Sequence, residues 1–276
     1  KEVVKNIKLI TTDNAIKWLK FSYLFKDEAE IYRHWCDILT ESNYQFGIVK
    51  TDHASKYGNM QRMSYQMINS LPLTELDVKS LCSYEIEKVE QLKNNDTAFV
   101  QYLRDNSTDI NSYDMIADLI EYKGMVNTTY VTECRKHIIS DYVHTLRKGK
   151  IEVTGDNLTV CQNPVEMLFY SIGKMKGKNI QPIEFKAYKD RIQCHASRFQ
   201  YGKYLAAFRN PHNSPNNVGY YENVDCPMIQ KYMRVGNNII IINGIGTDTE
   251  DRCNSMDFDS DFQLVTDNYL IVNCAK

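Results

Sequence analysis

The chain has 276 residues, 43% of them apolar, enough for one large domain or two modest ones and too apolar for a disordered chain. Lys and Arg number 33 against 35 Asp and Glu, a net charge of −2 that carries no global nucleic-acid signal, so any basic channel must be local. No run of 18 apolar residues occurs, so the sequence holds no membrane-spanning helix, and Lys1-Glu2-Val3-Val4-Lys5 is not a signal peptide.

In chain order, residues 6–25 read as strand material. Ile7-Lys8-Leu9-Ile10 and Ile16-Lys17-Trp18-Leu19-Lys20-Phe21 alternate around the turn chemistry of Asp13-Asn14. Residues 27–39 suit a short helix, Phe46-Gly47-Ile48-Val49 a short strand, and 61–70 a mixed segment with a short helix. From Leu71 the period changes. Thr74-x-x-Asp77 resembles a capping box, and Val78, Leu81, Cys82, Ile86, Val89 and Leu92 form one amphipathic stripe. Helices are expected over 96–105, 112–123 and 129–148, the last with Arg147, Lys148 and Lys150 at its C-terminal end. There they suit the helix dipole as well as they suit a phosphate.

The strand period returns at Ile151. Ile151-Glu152-Val153-Thr154 and Leu158-Thr159-Val160 flank Gly155-Asp156-Asn157, which reads as a hairpin turn. A helix is expected from Pro164 to Met175, and short strands over 183–188, 205–208, 218–221, 238–242, 262–265 and 269–272. The organisation is β-rich, helical, then β-rich again. Eight cysteines, none at zinc-ribbon spacing, read as thiols in a reducing cytoplasm. Cys194-His195 and Cys134-x-x-His137 stand as isolated pairs.

Three stretches carry chemistry. Asp257-Phe258-Asp259-Ser260-Asp261 places three carboxylates within five residues, between the apolar run ending at Ile242 and Phe262-Gln263-Leu264-Val265. Carboxylate oxygens so spaced suit one hard cation, Mg²⁺ or Ca²⁺. An EF-hand is a poor match, because Phe262 and Asn268 stand where that loop needs Gly and Glu. Arg209 sits in the loop Arg209-Asn210-Pro211-His212-Asn213-Ser214-Pro215, 48 residues before Asp257. Its guanidinium fork suits a ribose or phosphate; a connecting loop with an exposed Arg is the plain alternative. Lys50 and Lys56 flank Thr51-Asp52-His53 and could hold a polyanion or simply be solvated.

Together these stretches resemble the single-chain RNA polymerases built on two double-psi β-barrels. That family includes phage and firmicute-element enzymes and the cellular RNA-dependent RNA polymerases of RNA silencing. Asp257-x-Asp259-x-Asp261 is similar to the family's Asp-x-Asp-Gly-Asp metal loop, Arg209-Asn210-Pro211 to its Arg-x-Pro, and Lys50 and Lys56 to its basic pair. Gln61-Arg62-Met63-Ser64-Tyr65-Gln66-Met67 is similar to the segment after the first barrel in firmicute phage-type relatives.

The resemblance implies an α+β chain: a basic barrel unit over 1–70, a helical connector over 71–150, and an acidic, metal-binding barrel unit over 151–276. It implies Mg²⁺ held by Asp257, Asp259 and Asp261 as catalytic residues, with Lys50, Lys56 and Arg209 binding substrate. It further implies nucleoside triphosphates, a nucleic-acid template and an RNA product as partners, no membrane, and flanking segments of a longer polymerase. Two departures stand out. Ser260 replaces the family's Gly, whose freedom would ease a tight turn, and Ser255-Met256 replaces Asn-Ala. A nucleic-acid-binding relative without catalysis and a metal-dependent nuclease are the alternatives.

Overall fold

The computed structural model describes residues 22–45, 55, 57–177, 179–258 and 260–276. The strands expected over 6–25 and 46–49, and Lys50, Lys56 and Asp259, lie outside these residues, apart from 22–25, which form a 3-10 turn and a bend.

The first described elements are helix α1 (Glu28–Glu41), strand β1 (Met60–Arg62) and helix α2 (Tyr65–Asn69). Asp27 caps α1 by accepting the Glu30 N–H. Six helices follow or flank the connector: α3 (Glu75–Leu81), α4 (Ser83–Asn94), α5 (Asp96–Asp105), α6 (Tyr113–Lys123) and α7 (Thr129–Arg147) within it, and α8 (Pro164–Ser171) beyond. Thr74 and Asp77 form the expected capping box. The single stripe over 78–92, however, is two helices that break at Cys82. Val78 and Ile86 are exposed, while Glu85 is buried because it accepts the Tyr142 O–H and the Glu152 N–H. A charged residue on the inner face misled the hydrophobic pattern.

The remaining elements are β2 (Glu152–Gln162), β3 (Ile192–His195), β4 (Tyr204–Phe208), β5 (Val218–Asn223), α9 (Pro227–Tyr232), β6 (Ile239–Ile242), α10 (Thr249–Arg252), β7 (Phe262–Thr266) and α11 (Tyr269–Ala275). Strands β2, β6, β3, β5, β4 and β7 pair in that order, and β7 returns to β2, which closes a six-stranded barrel; β1 adds to the free start of β2. Pairs β2–β6 and β3–β5 are parallel, and the other barrel pairs are antiparallel. Exchanging β2, β3 and β4 with β5, β6 and β7 maps the set of barrel pairings onto itself, an internal two-fold symmetry of connection. The fold is α+β, with one closed barrel beside a helical layer.

Strand periodicity builds the core. Leu158, Val160, Leu205, Ala207, Ile240, Ile242 and Val265 point into the barrel with Tyr221 and Cys194. Their neighbours Ala206, Phe208 and Leu264 face outward onto α2, α3 and α11, and Ile241 faces α8 and α9. The helices α4 to α7 close a separate cluster around Phe99, Leu103 and Ile138.

Four further expectations are corrected. Gly155 is no hairpin turn but the point inside β2 where pairing passes from β1 to β7. Its φ is +149°, and a Cβ there would lie 2.2 Å from the Val265 carbonyl oxygen, so only glycine lets the strands approach. Residues 269–272 are helical because Asn268 caps α11, accepting the Leu270 and Ile271 N–H groups. Residues 183–188 form no strand, and the helix from Pro164 ends at Ser171. Cys194 faces into the barrel while His195 faces out to the Val224 carbonyl, so that pair shares no ligand site. Among the described residues no helix is long and apolar enough to cross a membrane.

Candidate functional site

Antiparallel pairing of β4 with β7 sets Phe208 opposite Leu264. The residues after β4 and those before β7 therefore emerge side by side at one end of the barrel. The end of β2 and the end of β6 reach the same rim, because these two strands run parallel with Gln162 beside Ile242. Three loops, 163–191, 209–217 and 243–261, meet there.

Arg209 and Asp261 are joined across this rim. Arg209 donates through Nε (2.9 Å) and Nη2 (2.6 Å) to Asp261 Oδ2, and through Nη1 (2.8 Å) to the Asn254 carbonyl. Asp261 Oδ2 also accepts the Asp257 N–H at 3.0 Å, and the Asp261 carbonyl accepts the Val160 N–H at 2.9 Å. The two acidic ends of the loop are thus pinned together and to β2. Met256 is buried, and Phe258 packs against the barrel core, so alternate residues of the acidic stretch anchor it from below. Ser260 adopts φ +97°, a left-handed backbone that suits glycine.

The two loops are stitched further. Asn254 Nδ2 donates to the Pro211 carbonyl at 3.2 Å, and Asn217 Nδ2 to the Arg252 carbonyl at 2.6 Å. The Asn210–Pro211 peptide is cis. His212 is buried and its Nε2 meets Ser70 Oγ at 2.7 Å, which ties the Arg209 loop to the end of α2. Burial lowers the His212 pKa below its ordinary value. Beneath the acidic loop, Tyr221 donates to Gln263 Oε1 at 3.0 Å, and Gln263 Nε2 lies 3.3 Å from Cys253 Sγ. Burial pushes the Cys253 thiol up, against the pull of its own hydrogen bonds with Tyr221 and Gln263. Asn217, Asn254 and Gln263 carried no sequence signal that marked them as parts of this site, whereas His212 was marked by its place in the Arg209 loop.

The structure therefore brings Arg209, Asp257 and Asp261 together, while Asp259, Lys50 and Lys56 lie outside the described residues. The fit to Mg²⁺ can be tested on the donor set. All three contacts to the Asp261 carboxylate among the described residues use Oδ2, and no group of three or more possible metal ligands forms among those residues. Oxygen donors alone, on one pinned loop, are what a hard divalent ion takes.

A second junction holds the connector to the barrel. Glu152 on β2 accepts Arg62 Nε and Nη2 (3.0 and 2.9 Å) and Lys88 Nζ (3.1 Å). Together with buried Glu85 it links β1, β2, α4 and α7. The Tyr142 pKa is raised, first by burial and then by its hydrogen bond to Glu85. At the opposite end of the barrel, Arg198 donates to the Gly58 carbonyl and its Nη1 stands 3.0 Å from buried Asp156 Oδ2.

No protein-family model matches this sequence, and no curated protein matches it. The fold is similar to that of the RNA dependent RNA polymerase QDE-1 from Thielavia terrestris, with a TM-score of 0.55 and 11% sequence identity. The similarity covers 77% of this chain and 25% of that one, so the chain spans about a quarter of the polymerase it matches.

Proposed function

We propose that this chain is the catalytic core of a template-directed RNA polymerase, or a part of a longer one, which transfers a nucleotidyl group from a nucleoside triphosphate to an RNA 3′-hydroxyl. The observation that carries this reading is Arg209 bonded to Asp261 across the rim of a closed six-stranded barrel. The two-fold symmetry of strand pairing supports a double-psi barrel over 151–276, and the likeness to an RNA dependent RNA polymerase supports the same fold. In this reading residues 1–70 belong to a basic barrel unit and 71–150 to a helical connector.

Asp257, Asp259 and Asp261 would hold Mg²⁺. When bound, Mg²⁺ supplies a lowered pKa for the attacking hydroxyl and neutralisation of the leaving pyrophosphate. The chain's own contribution is position and charge. The pinned loop fixes the Asp261 carboxylate before substrate arrives, which removes a reorganisation cost from the chemical step. Arg209 reaches the same point from the neighbouring strand and has five donors, enough to leave Asp261 for a ribose or phosphate oxygen. Lys50 and Lys56 are assigned to the triphosphate.

Ser260 favours a second reading, a nucleic-acid-binding relative without catalysis, because its φ of +97° sits where a polymerase of this kind keeps glycine. Incorporation of a labelled nucleotide on a primed template, with and without Mg²⁺, separates the two. The polymerase reading expects Mg²⁺-dependent extension that Asp259→Ala abolishes; extension by Asp259→Ala equal to that of the unaltered chain would rule out the assigned role.

A further inference from the structure

Helix α7 ends in a basic turn that takes no part in the rim. Arg147, Lys148 and Lys150 are exposed, and among the described residues none of the three makes an ion pair or a side-chain hydrogen bond. The helix dipole accounts for cations in the last turn of α7, but its effect falls off within that turn. Lys150 lies past it, beyond Gly149, whose φ of +72° ends the helix. The dipole therefore does not explain the whole cluster.

A second segment meets this turn. A Cβ on Gly149 would lie 2.8 Å from Tyr65 Cα, so only glycine lets the turn come this close to the start of α2. The Met63 N–H donates to the Ile151 carbonyl at 2.9 Å and holds the same two segments together. Tyr65 is 58% exposed. An open tyrosine thus stands beside three solvent-facing cations.

The two segments bring no acid of their own, since neither 53–74 nor 142–151 contains Asp or Glu. The described acids that border them are engaged elsewhere. Glu152 is held by Arg62 and Lys88, Glu75 by Lys79, and Asp141 Oδ2 lies 3.7 Å from His137 Nε2. On a chain with a net charge of −2, this is a local concentration of positive charge.

Its place in the fold gives that charge a direction. Helix α2 begins at Tyr65, and Ser70 at its end meets His212 of the Arg209 loop at 2.7 Å. Five residues of helix separate the two ends, about 8 Å. The basic turn is one short helix away from the loop that carries Arg209, so a polyanion strand at the rim can continue along α2 to reach it.

We infer that Arg147, Lys148, Lys150 and Tyr65 form a contact surface for a single strand of RNA, with the cations on its phosphates and the Tyr65 ring against a base. Cations along a phosphate backbone, with an exposed ring for stacking, are the means by which single strands are bound without regard to sequence. The choice of RNA over another polyanion rests on the polymerase reading.

The test measures fluorescence anisotropy of a labelled, unstructured RNA of about 12 nucleotides with the 276-residue chain, without metal or nucleotide, over a range of salt. Replacing Arg147, Lys148 and Lys150 together by Gln should weaken binding about tenfold or more at low salt. It should also lower the slope of log K against log salt by about 2, the value for three phosphates on a single strand. Tyr65→Ala should weaken binding about fivefold, while Tyr65→Phe keeps it. A charge-matched control replaces Lys93, Lys123 and Lys136, exposed on the connector helices, by Gln and should change binding by less than about twofold. Unchanged affinity and slope in the first triple variant, an equal loss in the control, or equal affinity of Tyr65→Ala and Tyr65→Phe would overturn the assignment. Binding to phosphatidylserine vesicles in place of RNA would overturn it in favour of a membrane contact. Nucleotide incorporation is read separately, and its absence in a chain that binds RNA as described would count against the polymerase reading alone.

Discussion

Replacing Ser260 by glycine tests how the acidic loop is held. A non-glycine residue in a sparsely populated positive-φ region costs about 1–3 kcal/mol, and Ser260 sits at φ +97°. Its side chain is exposed, so little packing is lost with it. Glycine adds freedom to the unfolded chain, an opposing effect of about 0.4–1 kcal/mol. The balance is a gain of about 1 kcal/mol, worth about 2–4 °C in Tm for a chain of this size. Urea and thermal unfolding of the unaltered chain, Ser260→Gly and Ser260→Ala give the comparison. Ser260→Gly should be the most stable of the three, and Ser260→Ala should gain nothing because alanine has the same backbone conflict. A Ser260→Gly protein no more stable than Ser260→Ala would refute the claim that the turn demands a left-handed backbone.

Other outcomes follow from the same geometry. The Arg209 and Asp261 side chains are 16% and 23% exposed, so Arg209→Met leaves a mostly buried carboxylate uncompensated. It should cost about 2–4 kcal/mol in urea unfolding, and adding Asp261→Asn should restore at least about 1 kcal/mol of it. Tyr142→Phe removes the hydroxyl donor to buried Glu85 and should cost about 1–3 kcal/mol by the same measurement. His212 has a folded pKa below 6.5, so the unfolded chain takes up its proton more readily. Its contribution to stability is fully present above about pH 6.5 and falls as pH drops through the lowered folded value. His212→Gln should flatten that part of a stability–pH curve.

Much of the barrel was legible because its strands obey a simple alternation. Leu205 and Ala207 face in while Ala206 and Phe208 face out, and the Asn238-to-Ile242 run divides the same way. Helices with side-chain caps, such as those begun by Asp27, Thr74 and Asn95, fell where their signals stood. Strand β3 was missed because Gln193 and His195 occupy buried positions on it, a pattern that reads as half-solvated. Gln193 is satisfied there by the Lys186 N–H and by Glu222, 29 positions away in sequence, partners that the local pattern does not show. The break at Cys82 was hidden for a similar reason, since Glu85 finds its partners on α7 and β2.

At the rim, Arg209, Asp257 and Asp261 were suggested by the family resemblance, and the structure sets them in contact. The residues that fix them were not visible. His212 meets Ser70 across 142 positions and Asn217 meets Arg252 across 35, contacts that only the closure of the barrel brings about.

The central claim is that the acidic loop and Arg209 form a site for a divalent ion together with a nucleoside triphosphate. Mn²⁺ as a paramagnetic stand-in for Mg²⁺ tests it most directly, through the backbone amide signals of Asp257 and Asp261 on titration with and without a triphosphate. The account predicts selective broadening of these two signals, tighter with the triphosphate present and lost in Asp261→Asn. Broadening that spreads evenly over the surface acids, or persists undiminished in Asp261→Asn, would contradict it.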